Sequence, residues 1–358
     1  MNQLNSLLNS LIKVDSSTKE EANNLIEFAE NWLKIEGISR IKILENNGYK
    51  MLIADIGSGE QTIVLNGHVD VVSGNKEQFT PIVEDGKLYA RGSADMKAGV
   101  AAIMCAFVEL NKIVVDCNVQ LQLVSDEEIG GKNCAAYLTD EGYLGDFVIC
   151  PEPTQLGIGL QAKGVLQLDI HVKGIPAHSS RPWEGENAIE KAVNMYQQIK
   201  SLPFAKESSS FFEAPSINLS KISGGDVYNK VPDACKMSID IRFLPSQRKD
   251  DILHQIKQIT GDQVDVILYG DPVNNSEEDK EILHLIDTIK KHTKEDKVSV
   301  FGQHGFADTR YFSRYGIPAV EFGPTGEDWH GERENVELES VETYKNIIVD
   351  LATSLYKK

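Results

Sequence analysis

The chain has 358 residues, 41% of them hydrophobic and 25% charged, a composition that suits a folded globular protein long enough for two domains or one large one. Its formal net charge of -18 opposes binding to a nucleic-acid backbone or an anionic membrane surface, because the long-range field repels both. Five cysteines, odd in number and with no Cys-x-x-Cys pair, argue against a disulfide framework and against a cysteine zinc site.

The first residues, Met1 to Leu8, carry neither a basic stretch nor an unbroken apolar one, and no later segment approaches the length of a membrane span, so a cytoplasmic protein is expected. Helical spacing of apolar residues predicts helices over Asn2–Ile12 and Lys19–Leu33, the second opened by a Ser17-Thr18 cap and an acidic first turn. Short apolar strands follow at Lys50–Asp55, Gln61–Asn66, Val119–Val124 and Phe147–Cys150, with a helix from about Lys97 to Leu110 among them. That alternation predicts an α/β domain with a largely parallel sheet flanked by helices.

From Lys163 the texture changes. Val165–Val172 alternates apolar and polar residues, a helix is expected over Asn187–Lys200, strands over Ser216–Ile222 and Lys236–Phe243, a helix over Lys249–Thr260 and a closing strand at Gln263–Leu268. This β-α-β-β-α-β order is that of a ferredoxin-like two-layer domain, placed here as an insertion of residues 163–273 into a larger domain made of 1–162 and 274–358. The turn-rich Tyr269–Asp279 returns the chain to the larger domain, where a helix (Lys280–Lys291) and strands at Val298–Phe301 and Ala319–Phe322 are expected.

Several residues able to bind metals fall just after predicted strands: His68 and Asp70 in "GHVDVV", Glu127 and Glu128 in "SDEEIGG", and Glu152 in "PEPT". In an open α/β sheet the carboxyl ends of the strands face a common crevice, where distant segments meet. Asp95, in "ARGSADMKAG" at the start of a helix, and His330, in "GPTGEDWHGERENV", complete a set of two imidazoles and three carboxylates: His68, Asp95, Glu128, Glu152 and His330. Such donors suit zinc first, and cobalt or manganese as well, and a bridging carboxylate can hold two ions roughly 3.5–4 Å apart. Taken singly each residue has a plainer reading: Asp95 as a helix cap, the glutamates as solvated charges, His330 as a surface histidine.

Together with "HSSRPWEGENAI", these motifs resemble, in order from about residue 64 to residue 336, the zinc metallopeptidase family of acetylornithine deacetylase, succinyl-diaminopimelate desuccinylase, aminoacylase and glutamate carboxypeptidase. The resemblance implies two divalent ions, one held by His68, Asp95 and Glu152 and the other by Asp95, Glu128 and His330, with Asp95 bridging. It implies Glu127 as the general base that takes a proton from the attacking water and later protonates the leaving amine. Asp70, two residues beyond His68 on an extended strand, is expected to orient the imidazole. The inserted domain would be a lid used for dimerisation, with His178 reaching a neighbouring subunit's site to stabilise the oxyanion.

The resemblance further implies that Asn229, Arg242 and Arg310 bind the substrate's carbonyl or carboxylate, for which a guanidinium is well shaped. Two departures are visible: Met96 follows the bridging aspartate where some members have a second Asp, and Ala307 precedes Asp308 in "GFADTRYF" where Thr or Ser is usual. The expected activity is removal of an acyl group from an N-acyl amino acid, with a dipeptidase or carboxypeptidase as the second reading. A non-catalytic binding homologue is a third, opposed by the complete set of ligands and base. Neither a G-x-S-x-G elbow nor a phosphate-binding G-x-x-x-x-G-K-[ST] loop is present.

Overall fold

Ile63, Val64 and Leu65 are apolar on both faces, which suits a strand covered from above and below. The computed structural model, which describes residues 2–305 and 307–357, places Thr62–His68 inside a large mixed sheet. Seven of its strands run in the order Ile41–Asn46, Tyr49–Gly57, Asn118–Val124, Thr62–His68, Phe147–Cys150, Ala319–Glu321 and Ile158–Ala162, and the short Val273–Asn274 and Val300–Gln303 pair with the last of these. The four strands from Asn118–Val124 to Ala319–Glu321 run parallel, and the flanking pairs are antiparallel. The expected largely parallel sheet flanked by helices is thus present.

The helix Ala98–Leu110 has buried side chains on almost every turn, as its uniformly small and apolar sequence requires, and it packs against the helix Leu338–Ser354. At Gly99 an added Cβ would sit 2.4 Å from the carbonyl oxygen of Pro151. Only glycine permits that approach, and it fixes the helix against the loop that carries Glu152.

Some elements differ from expectation. Ile41–Asn46 forms a hairpin with Tyr49–Gly57 across Asn47-Gly48, and the 17-residue helix Leu338–Ser354 closes the chain; neither was among the predicted elements. A second small sheet, ordered Gly326–Glu327, Asn335–Glu337, Lys87–Tyr89 and Ile82–Glu84, is built from strands of two or three residues, too short for a hydrophobic period to show. The strand expected at Val298–Phe301 lies at Val300–Gln303.

The described residues divide into two units: one takes in the segments up to Leu160, Asn275–Phe301 and from Ala307 onward, the other Gln161–Asn274 and 302–305. In the smaller unit Ser216–Gly224, Ala234–Phe243, Gly164–Lys173 and Val264–Gly270 form an antiparallel sheet in that order. Leu166, Leu168 and Ile170 alternate inward to meet Met237, Ile239, Ile241 and the helix residues Ala188, Ala192, Ile252 and Ile256. The β-α-β-β-α-β order is as expected. All five cysteines are buried and unpaired. No helix among the described residues is long and apolar enough to cross a membrane.

Candidate active site

Three neighbouring parallel strands of the larger unit end on the same side, and each delivers a candidate ligand within a few residues: Thr62–His68 ends on His68, Asn118–Val124 leads to a short 3-10 turn at Glu127–Ile129, and Phe147–Cys150 leads to Glu152. Asp95 lies in the irregular turn Ser93–Lys97 ahead of the helix Ala98–Leu110. His330, in a left-handed backbone conformation, comes from the loop between Gly326–Glu327 and Asn335–Glu337.

The structure brings these residues together. Nε2 of His68 lies 3.0 Å from Oδ1 of Asp95, 3.9 Å from Oε2 of Glu127 and 4.0 Å from Oε1 of Glu152. The other carboxylate oxygen of Asp95 lies 3.2 Å from Nε2 of His330, which is in turn 3.3 Å from Oε2 of Glu128. One carboxylate therefore spans two imidazoles. Donor atoms of His68, Asp95 and Glu128 all lie within 4.8 Å of one another.

Asp70 meets His68 through its backbone. Its backbone carbonyl, at 2.9 Å, faces Nδ1, while its carboxylate is 3.6 Å from that nitrogen and accepts the backbone N–H groups of Glu127 and Glu128. With the Nδ1 proton donated to that carbonyl, Nε2 is the nitrogen turned to Asp95, to which it donates in the metal-free protein, and the one whose lone pair a metal ion would take.

Burial dominates the electrostatics. It drives the Glu127 and Glu152 carboxyls well above the usual carboxylate range, with neighbouring acids adding to the effect against His68. Burial, reinforced by Asp95 against the pull of His68, moves Glu128 up to about 7. Burial would also raise Asp95, but hydrogen bonds from His330 and His68 hold it well below its ordinary value. For His68, burial opposes charge, yet Asp95, Glu127 and Glu152 raise it well above the histidine range.

This is an excess of buried negative charge around two imidazoles, with Oε1 of Glu128 left without a hydrogen-bond partner. Divalent cations would offset the repulsion and take up that oxygen, so the donor set fits a metal centre.

Glu334 and Arg91 lie outside the expected set. Glu334, buried beside Arg91, accepts backbone N–H groups of Gly92, Ala94 and Asp95. A glutamate in the charged stretch "HGERENV" reads as solvated, which is why it escapes notice. Asp308 is buried with neither carboxylate oxygen hydrogen-bonded, and burial together with Asp126 moves it up to about 7. It lies under Gly131, where φ is +64° and an added Cβ would fall 2.2 Å from Oδ1 of Asp308. Arg310, expected among the substrate-binding residues, is buried and donates from Nη2 to the carbonyl of Gly130 at 2.6 Å, bracing the loop that carries Glu127 and Glu128. Phe306, in the same stretch, lies outside the described residues.

The remaining expected residues belong to the smaller unit. Nδ1 of His178 contacts Oγ of Ser180 at 2.8 Å, the Asn229 carbonyl accepts the Ser179 N–H, and Nε of Arg242 donates to Asp240 at 2.8 Å.

Residues 64–354 match the family described as peptidase family M20/M25/M40. The chain is 27% identical over 378 residues to succinyl-diaminopimelate desuccinylase of Rickettsia rickettsii, covering 96% of this chain and 98% of the relative. It is 31% identical over 265 residues to acetylornithine deacetylase of Proteus mirabilis, covering 69% of this chain and 67% of that one. In structure it is similar to aminopeptidase PepT of Bacillus cereus, with a TM-score of 0.82 at 20% identity, covering 99% of this chain and 98% of the other. With most of its length matched and its strand-end histidine and carboxylates gathered around one aspartate, the chain belongs to peptidase family M20/M25/M40 and is a hydrolase of that family.

Proposed function

We propose that this chain is a dinuclear metal-dependent amidohydrolase that removes the acyl group from an N-acyl amino acid. The observation that carries the reading is Asp95, whose two oxygens face His68 and His330 separately. His68, Asp95 and Glu152 would hold one divalent ion and Asp95, Glu128 and His330 the other, zinc being favoured by the mixture of imidazole and carboxylate and cobalt or manganese also accommodated. When bound, the two ions supply Lewis-acid polarisation of the scissile carbonyl and acidify the attacking water.

The protein's own groups do the rest. Glu127, held by the contact of its N–H with the Asp70 carboxylate, receives a proton on its carboxylate as water attacks and passes it to the departing nitrogen. Burial favours its protonated form, which suits the second half of that cycle. His178 is proposed as the oxyanion donor, and Asn229, Arg242 and Arg310 as the groups that recognise the substrate's carbonyl and carboxylate. The smaller unit is proposed as a lid and as the dimerisation surface of a cytoplasmic homodimer.

The relatives named as a desuccinylase and a deacetylase favour an acyl amino acid as substrate. The likeness to an aminopeptidase favours a second reading, hydrolysis of a short peptide. Amine release from N-acetylornithine, N-succinyl-diaminopimelate, other N-acyl amino acids and di- and tripeptides separates the two, using protein loaded with zinc, cobalt or manganese beside a chelated control. Metal-dependent turnover of an acyl amino acid and not of peptides supports the first reading; the reverse result replaces it with the second. A metal-loaded protein silent on the whole panel would overturn both.

A further inference from the structure

The acid-rich site is reached by two loops whose backbones are not held by the large sheet: the Ser93–Lys97 turn that carries Asp95, and the loop from Asp328 to Glu334 that carries His330. They meet at one buried ion pair. Glu334 and Arg91 are 1% and 3% exposed, and Nη1 of Arg91 donates to Oε2 of Glu334 at 2.6 Å. The same oxygen accepts Gly92 N–H at 2.9 Å, and Oε1 accepts the N–H groups of Ala94 and Asp95 at 2.9 and 3.0 Å. Nη2 of Arg91 donates at 3.1 Å to the carbonyl oxygen of His330 itself.

We propose that Glu334 and Arg91 are positioning residues of the metal centre, joining the backbone of the bridging ligand Asp95 to that of His330 so that both face the same position. The proposal rests on the dinuclear reading above. The chemistry asks for a carboxylate in particular: every group around Glu334 is a donor, so an amide in its place turns an NH2 toward an N–H whichever way it is flipped. It asks equally for a guanidinium, because one nitrogen holds Glu334 while the other reaches His330, a fork that an ammonium does not reproduce.

Glu334→Gln and Arg91→Lys test this. The readout is metal uptake by the purified chain, titrated with zinc against a chromogenic chelator, with thermal unfolding of the metal-free forms as the check on folding. Orienting partners behind metal ligands typically change affinity by roughly tenfold to a hundredfold. The expected result is a loss of that size in both variants, concentrated in the weaker of the two sites, while Glu334→Asp, which keeps the acceptors, recovers part of it. A purely structural role would lower the unfolding temperature and leave zinc affinity of the folded protein unchanged, and that result overturns the proposal. If Glu334→Gln does not fold, Arg91→Lys decides alone, since it leaves the Glu334 carboxylate and its backbone bonds in place. Wild-type protein that takes up no second ion overturns the dinuclear reading itself; wild type that binds two ions, with variants that bind them equally well, overturns only the positioning role.

Discussion

The backbone carbonyl of Asp70, and not its carboxylate, is the group that faces Nδ1 of His68, at 2.9 Å. The carboxylate instead caps the Glu127 and Glu128 N–H groups. Replacing Asp70 by Asn therefore leaves the histidine's partner in place and disturbs the loop that carries the proposed base. Metal affinity is expected to stay within a few-fold of wild type while kcat falls roughly tenfold to a hundredfold, KM changing little. Steady-state kinetics beside a zinc titration check the split; a loss of metal with unchanged kcat would place the carboxylate's role on His68 after all.

Glu127 is the proposed carrier of the transferred proton. Glu127→Ala is expected to lower kcat by about 10²–10⁴-fold with both metals retained, the size usual for loss of a general base. Wild-type turnover from a fully metal-loaded variant would assign the base elsewhere.

His330 is a proposed ligand of one ion only. In His330→Ala, metal content measured by elemental analysis is expected to drop from two ions per chain to one. Chelation of the wild-type protein should lower its unfolding temperature, because an ion bound only to the folded state stabilises it by about 2.7 kcal/mol when present at a hundred times its Kd.

Asp308 supplies a pH test. Its folded carboxyl titrates at about 7 against an ordinary value of 3.8, so between those limits the folded protein holds a proton that the unfolded chain has released. Its contribution to stability is whole below pH 3.8, declines as pH rises through the window, and is lost by about pH 7. Asp308→Asn removes that decline. Urea unfolding of the chelated proteins at pH 5 and pH 8 is expected to show the variant gaining on wild type as pH rises; parallel pH profiles would mean that Asp308 is ionised or partnered in the folded protein.

Gly131 faces the same carboxylate. Gly131→Ala places a Cβ where Oδ1 of Asp308 stands, on a backbone with φ at +64°. A loss of about 1–3 kcal/mol is expected from the strained backbone alone, read as a shift in the urea midpoint. An unshifted midpoint would show that the loop yields freely.

The parts of the site that were legible in the sequence share one property: they are chemically unusual for where they stand. A histidine and aspartate at the tip of an apolar strand, or a glutamate between two prolines, contrast with their surroundings, and the order of the strands places them together. Glu334 and Arg91 do not contrast with "HGERENV" or "YARGSAD", and only the three-dimensional path shows that both are buried. The spacing of Asp70 from His68 is readable in the sequence, but which of its oxygens meets the imidazole depends on the strand's exit angle. The helix Leu338–Ser354 carried a readable spacing in Val341, Tyr344, Ile348 and Leu351, all of which are buried, whereas the two- and three-residue strands around His330 carry no period at all.

The two imidazoles on Asp95 are covered very unequally: the His68 side chain is 1% exposed and that of His330 53%. Under the proposed ligation this gives the two ions different lifetimes. An ion held by His68 would be lost only with movement of a buried ligand, whereas one held by His330 would leave past a side chain already in contact with solvent, so the two are expected to exchange at different rates.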